Sequence, residues 1–126
     1  MKLEVGQFVR FKDKRNITYI RKIREIPQDN RYASIYLDKE ANYSKGLSLK
    51  NIIKASYNII DLIKSKDIIL GRDGKIYQCW KTYKDYVFTY SKNKQGQTIT
   101  LVDYQIDNIL TKEQFEEMSY KIKESR

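Results

Sequence analysis

The sequence predicts a mainly β protein, in which two small curled sheets follow one another and a short C-terminal helix completes the chain. Isoleucine occurs 17 times and tyrosine 11 times among the 126 residues, and β-branched and aromatic side chains favour strands. Two hairpin signals and one internal repeat indicate how the strands are arranged. We therefore expect antiparallel sheets built from hairpins.

Short apolar segments separated by polar turns mark the predicted strands. Those before the helix cover residues 8–12, 17–24, 32–37, 67–70, 75–82, 86–90 and 97–104. A further segment, residues 119–123, alternates Tyr120 and Ile122 with lysines, and it is predicted to be a closing strand.

Two of the turns carry hairpin signals. Arg72-Asp73-Gly74-Lys75 places Asp-Gly between two apolar runs, where glycine accepts a positive φ and aspartate tolerates it. Asn93-Lys94-Gln95-Gly96 separates two further apolar runs in the same way. Each is predicted to join antiparallel strands.

The chain resembles itself at a spacing of 60 residues. Residues 3–9 align with residues 63–69, with apolar positions coinciding at three places. A charged turn and a new strand, from Ile17 or Ile76, follow each block. Strand, tight turn and strand open many SH3-like barrels, in which a curled sheet closes on itself. We predict two tandem SH3-like barrels or curled sheets, a basic unit over 1–56 and a second unit over 57–126.

Residues 49–63 fit two patterns. Their apolar positions follow a helical stripe, yet residues 51–56 and 58–63 also read as two short β-branched strands. Because β-branched residues are poor helix formers, the strands are favoured. Residues 111–118 are predicted to form a helix, which Thr111 caps while Gln114 reaches back to it. Phe115 and Met118 are predicted to dock that helix on the sheet.

The composition excludes most catalytic mechanisms that use histidine or paired cysteines. The chain has no histidine and one cysteine, so it has no Ser-His or Cys-His pair, no histidine-containing metal site and no intramolecular disulfide. Cys79 lies in an apolar run and is predicted to be a core residue. The nuclease-like spacing of Asp73 and Lys75 coincides with a predicted turn. We expect no enzyme, no metal and no cofactor.

The positive charge is concentrated near the N-terminus. The chain carries 25 basic and 16 acidic residues, and the segment from Arg10 to Arg24 is opposed by Asp13 alone. Such a patch can neutralise phosphates, and aromatic neighbours can stack on bases. Solvation of sheet edges explains the same lysines. The candidate nucleic-acid or partner-binding residues are Arg10, Lys12, Lys14, Arg15, Tyr19, Arg21, Lys22 and Arg24.

A second candidate surface is aromatic. Tyr86, Phe88 and Tyr90 share one face of a predicted strand, and further rings lie on the preceding strand. The candidate aromatic surface comprises Tyr77, Trp80, Tyr83 and Tyr86. Core packing is the competing interpretation. Exposed rings would instead recognise a peptide, a base or a partner protein.

Two blocks of the sequence resemble small proteins encoded by phages and prophages of low-GC Gram-positive bacteria. They are Asn58-Ile59-Ile60-Asp61-Leu62-Ile63 followed by Asp67, and residues 109–118 followed by Tyr120-Lys121-Ile122; the Val5-Gly6 opening also fits. Lys66 stands where the group commonly has glycine, and Ile68-Ile69-Leu70-Gly71 replaces its usual YVNG. The resemblance implies a phage accessory role and assigns no catalytic residue.

We therefore expect a non-catalytic phage-type binding protein in the cytoplasm of the bacterial host cell, with no membrane-spanning segment. Its expected partner is a host protein or nucleoprotein, or its nucleic acid, so that it acts as a host-defence inhibitor of the anti-CRISPR kind. Two alternatives stay open. One is inhibition of a host protein through the aromatic surface, and the other is sequestration of a nucleotide signal. Oligomer formation through exposed edge strands also stays open.

Overall fold

A computed structural model describes residues 3–27, 34–37 and 47–124, with side chains for residues 3–27, 35–37 and 48–118. The chain divides into two compact units, Met1–Tyr57 and Asn58–Arg126, one residue beyond the expected boundary. The fold is mainly β, with two antiparallel sheets and one short C-terminal helix. Within the described residues neither sheet closes into a barrel. The prediction of barrels or curled sheets is confirmed in its curled-sheet form.

Unit 1 is a five-stranded sheet built on its first hairpin. Its strands are β1 (Phe8–Lys12), β2 (Thr18–Glu25), β3 (Ser34–Leu37), β4 (Leu47–Ser48) and β5 (Ile52–Ser56), and a 3-10 turn, Leu49–Asn51, precedes the last of them. The strand order is β4-β3-β2-β1-β5. One cluster of buried side chains packs under it, formed by Val9, Phe11, Ile23, Ile35 and Leu37. Tyr32 and Ala33 of the third predicted strand lie outside the described residues.

Unit 2 repeats this topology. Its strands are β6 (Ile68–Gly71), β7 (Ile76–Tyr83), β8 (Tyr86–Lys92), β9 (Thr98–Leu101) and β10 (Ile106–Leu110), and a 3-10 turn, Asp103–Gln105, precedes the last of them. The order is β10-β6-β7-β8-β9. In each unit four consecutive strands pair with their neighbours in sequence, and the fifth returns to the first. The sequence did not predict β4 or β10.

The predicted equivalence of residues 3–9 and 63–69 is confirmed at the level of single hydrogen bonds. Gly6 and Lys66 both have a positive φ, 96° and 78°. The amide of Gly6 donates to the carbonyl of Ile23, and the amide of Lys66 donates to that of Cys79. A glycine at position 66 would take this positive φ without strain.

Three hairpins use the same three-residue loop. In each hairpin, the amide of the residue before the loop donates to the carbonyl four positions later, and its carbonyl accepts from the amide three positions later. The residues paired in this way are Asp13 with Ile17 and Asn16, Gly71 with Lys75 and Gly74, and Asn93 with Gln97 and Gly96. The third loop position has positive φ in all of them. This is a type I turn followed by a left-handed residue. Both predicted hairpins, at Asp73-Gly74 and Asn93–Gly96, are confirmed.

The C-terminal helix α1 (Lys112–Glu124) begins as predicted. The amide of Gln114 donates to Thr111 Oγ1 at 3.2 Å, and the amide of Thr111 donates to Gln114 Oε1 at 3.0 Å. The predicted docking is wrong, because Phe115 and Met118 are 46% and 53% exposed. The closing strand at 119–123 is also wrong, since these residues continue the helix. Their two lysines are good helix formers, and the helix already begun at Lys112 outweighs a short alternation.

Residues 49–63 contain one of the two favoured strands. Ile52–Ser56 is β5, whereas Ile59–Leu62 is a 3-10 turn, so the second strand is wrong. The side chain of Asn58 accepts a hydrogen bond from the amide of Ile60, and this cap replaces strand pairing. Ile60 and Leu62 are buried, which accounts for their apolar pattern.

Candidate functional site

Asp13, the acidic residue of the Arg10–Arg24 segment, lies in the loop between β1 and β2, and its carboxylate contacts groups of that loop. Asp13 Oδ1 accepts from the amides of Arg15 and Ile17, each at 2.9 Å. Its Oδ2 lies 3.6 Å from Arg15 Nη2. The carboxylate therefore fixes the loop, while Lys14 is exposed beside it.

Tyr19 connects two of the predicted arginines. Its ring stacks on Phe11, with centroids 5.7 Å apart and planes at 23°. Arg15 Nη2 donates to its hydroxyl at 3.2 Å, and the guanidinium carbon of Arg21 lies 5.5 Å from the ring centroid. Burial, and then the charge of Asp13, raise the pKa of Tyr19. The phenol thus stays neutral beside two cations. We call Arg15, Tyr19 and Arg21 the Tyr19 cluster.

The alternation of β2 places other predicted cations on the opposite face. Lys22 pairs with Phe8 across the sheet, and its Nζ lies 5.7 Å from that ring. Arg24 lies 5.8 Å from the ring of Tyr36. Because successive side chains of a strand point to opposite faces, the predicted single basic patch is wrong. The hairpin carries two smaller basic surfaces, one on each face.

Arg10 is a second correction to the basic patch. It is 3% exposed, between the fully buried Val9 and Phe11. Arg10 and Lys12 were both candidate binding residues, but β1 is buried on both faces from Val9 to Phe11. Arg10 is therefore a buried residue of unit 1, whereas Lys12 is exposed.

Unit 2 presents an exposed aromatic face on β7 and β8. Cys79 pairs with Thr89 and Lys81 pairs with Phe88, so the register shifts at a bulge between them. A bulge redirects side chains, and here Trp80 and Lys81 both lie on the face opposite the buried Cys79. The predicted shared face of Tyr86, Phe88 and Tyr90 is confirmed by the burial of Val87 and Thr89 between them.

The rings of this face are available to a ligand. Trp80 is 46% exposed, Tyr83 59%, Tyr86 47% and Tyr90 48%, while Phe88 is half-buried among them. Core packing therefore does not account for them. We call these five residues the aromatic face. Of the predicted aromatic surface, Trp80, Tyr83 and Tyr86 belong to it.

Three lysines lie over the aromatic face. Lys81 Nζ is 4.8 Å from the Trp80 ring and 5.5 Å from that of Phe88. Lys84 Nζ is 5.4 Å from the Tyr83 ring, and Lys66 Nζ is 5.0 Å from the Tyr90 ring. These are cation–π distances. These lysines were not among the residues predicted from the sequence, although the adjacent pairs Trp80-Lys81 and Tyr83-Lys84 place a cation beside a ring.

Tyr77 does not belong to the aromatic face, which corrects the fourth member of the predicted surface. It is 6% exposed and lies on the same face of β7 as the buried Cys79. Its hydroxyl donates to Asp73 Oδ2 at 2.6 Å. This hydrogen bond raises the pKa of Tyr77 and lowers that of Asp73. Both residues line an open pocket of about 430 Å³ at the end of the β6–β7 hairpin.

The single cysteine of the chain is buried. The predicted core position of Cys79 is confirmed, since it is 0% exposed, and burial raises the pKa of its thiol to about 12. Such a thiol is a poor nucleophile.

Among residues 3–27, 34–37 and 47–124, no three His, Cys, Asp or Glu residues form a metal-binding group. In the same ranges no helix is long and apolar enough to cross a membrane.

No family model, curated protein or solved structure matches the chain. Function is therefore inferred from the geometry above.

Proposed function

We propose that the protein is a non-catalytic binding protein for single-stranded nucleic acid, and that the aromatic face of unit 2 is its principal contact surface. The observation that carries the proposal is the combination of four rings, each about half exposed, with three lysines at cation–π distance on one sheet face.

The rings suit unpaired bases. Proteins that bind single strands combine basic surface with aromatic side chains on which bases stack, and each stacked base contributes about 1–3 kcal/mol. Trp80, Tyr86 and Tyr90 are held by strands rather than by loops, so little side-chain freedom is lost on binding. In a duplex the bases are already stacked on one another. Single strands are therefore the expected ligand.

The lysines suit the backbone of the same ligand. Lys66, Lys81 and Lys84 can neutralise phosphates next to the stacked bases, which releases counterions and makes binding depend on salt. Asp85 is the acidic residue next to Lys84, and its Oδ1 accepts from the side chain of Asn58 at 2.9 Å. That hydrogen bond directs this oxygen to Asn58 rather than to the lysine.

Unit 1 adds sequence-independent attraction. It contains 13 basic and 6 acidic residues, whereas unit 2 contains 12 and 10. The Tyr19 cluster and the cations of the opposite face offer charge and one stacked tyrosine. Unit 1 is thus expected to raise affinity and association rate through its field.

The test is fluorescence anisotropy with a labelled dT 20-mer at low and moderate salt, with the matching duplex as comparison. Trp80→Ala is expected to weaken single-strand binding about tenfold, because one stacking surface is lost. Trp80→Phe, which retains a ring, and Tyr57→Ala, which removes an exposed ring of unit 1, serve as controls. Failure of the wild-type protein to bind at low salt would overturn the proposal.

The exposed Trp80 and its tyrosines also favour a second candidate, inhibition of a host protein or nucleoprotein, as the phage resemblance implies. Tryptophan and tyrosine are common in interface hot spots. Capture of a defined host protein that survives nuclease treatment and is lost in Trp80→Ala would favour this function. Capture that nuclease abolishes would favour nucleic acid as the direct ligand.

A further inference from the structure

The pocket at the end of the β6–β7 hairpin brings together an aromatic ring, a cation and a carboxylate. Tyr104 is 74% exposed and lines the pocket with Arg72, Asp73 and Gln105. Ile99 and Leu101 of β9 contribute apolar wall. Its volume of about 430 Å³ lies in the range of small-molecule sites.

Asp73 retains acceptor capacity in this pocket. Its Oδ1 accepts from the amide of Lys75 at 2.9 Å and its Oδ2 from the Tyr77 hydroxyl at 2.6 Å. The backbone amide of Asp73 itself is a third, weaker donor; an ionised carboxylate has about four lone-pair sites, so acceptor capacity remains. The same two bonds lower the pKa of Asp73, which keeps the carboxylate ionised at neutral pH. They also fix its orientation.

The neighbouring polar groups are donors. Gln105 Oε1 already accepts from the amide of Val102 at 2.9 Å, so its Nε2 is the group left to face a ligand. The guanidinium of Arg72 has a side-chain exposure of 63% and lies 4.0 Å from Asp107 Oδ1, a distance too long for a strong hydrogen bond. The pocket thus offers two adjacent acceptors beside donors.

Among the nucleobases, guanine presents the matching edge. Its N1–H and exocyclic N2–H are adjacent donors, with the O6 acceptor next to them. The other bases place an acceptor beside each donor on this edge. We propose that this pocket binds a guanine base, with Asp73 accepting from N1–H and N2–H, a donor of Arg72 or Gln105 at O6, and Tyr104 stacking on the ring.

The pocket and the aromatic face lie on opposite faces of the sheet and meet at β9, its edge strand. Thr100 lines the pocket and pairs with Phe88 across the sheet. A single strand stacked on the aromatic face can therefore reach the pocket by passing round this edge of unit 2. In this form the inference rests on the proposed function and adds a base preference to it.

The experiment compares labelled dT 12-mers with the same strands carrying one central dG, dA or deoxyinosine. Wild-type protein is expected to bind the dG strand about tenfold more tightly than the dA strand, the range for a bidentate base contact. Deoxyinosine lacks the N2 amino group and should lose most of that preference. Asp73→Asn keeps the size and one acceptor but should abolish the preference, with dT affinity within twofold of wild type. Glu116→Gln, an equal change of charge outside the pocket, is the control.

A titration with GMP and AMP separates the two sources of guanine. Binding of GMP but not AMP, sensitive to Asp73→Asn, would support the pocket and show that a free nucleotide suffices. Wild-type protein that binds dT strands without a dG preference, and that binds no GMP, would overturn the guanine pocket and leave the proposed function standing. Wild-type protein that binds GMP but binds none of the strands would overturn only the proposed function.

Discussion

The carboxylate of Asp67 accepts a hydrogen bond from the backbone amide of Lys112 at 2.9 Å, and so joins the turn before β6 to the first turn of α1. Its other oxygen accepts from the amide of Lys64 at 2.8 Å. Asp67 is 0% exposed. Two backbone donors from distant parts of unit 2 thus depend on one buried side chain.

Asp67→Ala is expected to lower the free energy of unfolding by about 3 kcal/mol, because hydrogen bonds to a charged group are lost and their donors lose their partner. Urea unfolding measures it. Asp107→Ala, whose side chain is 61% exposed, is the control and should change stability little. A loss below about 1 kcal/mol for Asp67→Ala would contradict this account.

The equivalent turns at Gly6 and Lys66 predict opposite responses to reciprocal substitutions. Gly6→Ala should destabilise by about 1 kcal/mol, since a side chain at positive φ is strained. Lys66→Gly should stabilise by about 0.5–1 kcal/mol by relieving that strain, although glycine has more unfolded-state entropy. The same change should weaken single-strand binding by removing the cation over Tyr90. Urea unfolding and anisotropy measure the two effects, and a destabilised Lys66→Gly would argue against strain at this turn.

The Tyr77–Asp73 hydrogen bond predicts a pH dependence. The pKa of Asp73 is lowered in the folded protein, so its contribution is present above the unfolded value near 3.8 and is lost as pH falls through the folded value. The pKa of Tyr77 is raised, so its contribution is present below about 10 and is lost as pH rises through the folded value.

Tyr77→Phe should therefore show a stability deficit that is constant between about pH 5 and 9 and that becomes smaller as pH falls through the folded pKa of Asp73. Urea unfolding of both proteins across this range measures it. A deficit that stays unchanged throughout the acid range in which the protein remains folded would show that it does not depend on the Asp73 carboxylate.

Cys79 is expected to react with a thiol reagent only when unit 2 opens. With a pKa of about 12 and no exposure, the native thiol should stay unmodified by 5,5′-dithiobis(2-nitrobenzoate) at pH 8 and react quickly in urea. Fast reaction of the native protein, at the rate of a free thiol, would contradict the buried position.

Lys81→Gln and Lys84→Gln should each reduce the slope of log binding constant against log salt by about 0.7, the value for one phosphate contact with a single strand. In the double variant this slope should be reduced by about 1.4. Anisotropy titrations at four salt concentrations give the slope. Lys94→Gln, in the loop after β8, is the control and should leave it unchanged.

Local chemistry made most of the fold predictable. The hairpin loops were found because Asp73-Gly74 and Asn93–Gly96 supply a left-handed position, and the helix start because Thr111 and Gln114 satisfy its first amides. β10 was missed because its burial follows from pairing with β6, which no local pattern shows. Ile59–Leu62 was misassigned because a 3-10 turn and a short strand bury isoleucines equally well.

The candidate site was less predictable. Rings on one face of β8 follow from alternation, but the bulge that brings Trp80 and Lys81 to the same face depends on the register with β8. Arg10 was placed outside because alternation assumes that a sheet is exposed on one face. The pocket joins a loop, a strand edge and a 3-10 turn, and its residues are separated by up to about thirty positions in the sequence.

The strand order described for unit 2 has a kinetic consequence. Short loops join the strands of the hairpins β6–β7, β7–β8 and β8–β9. In contrast, β10 pairs with β6, from which the three intervening strands separate it in the sequence. Contacts between residues far apart in sequence form late, because chain entropy is lost before they are made. The pairing of Ile109 with Ile69 is therefore expected to set the folding rate of unit 2, with the hairpins already formed in the transition state.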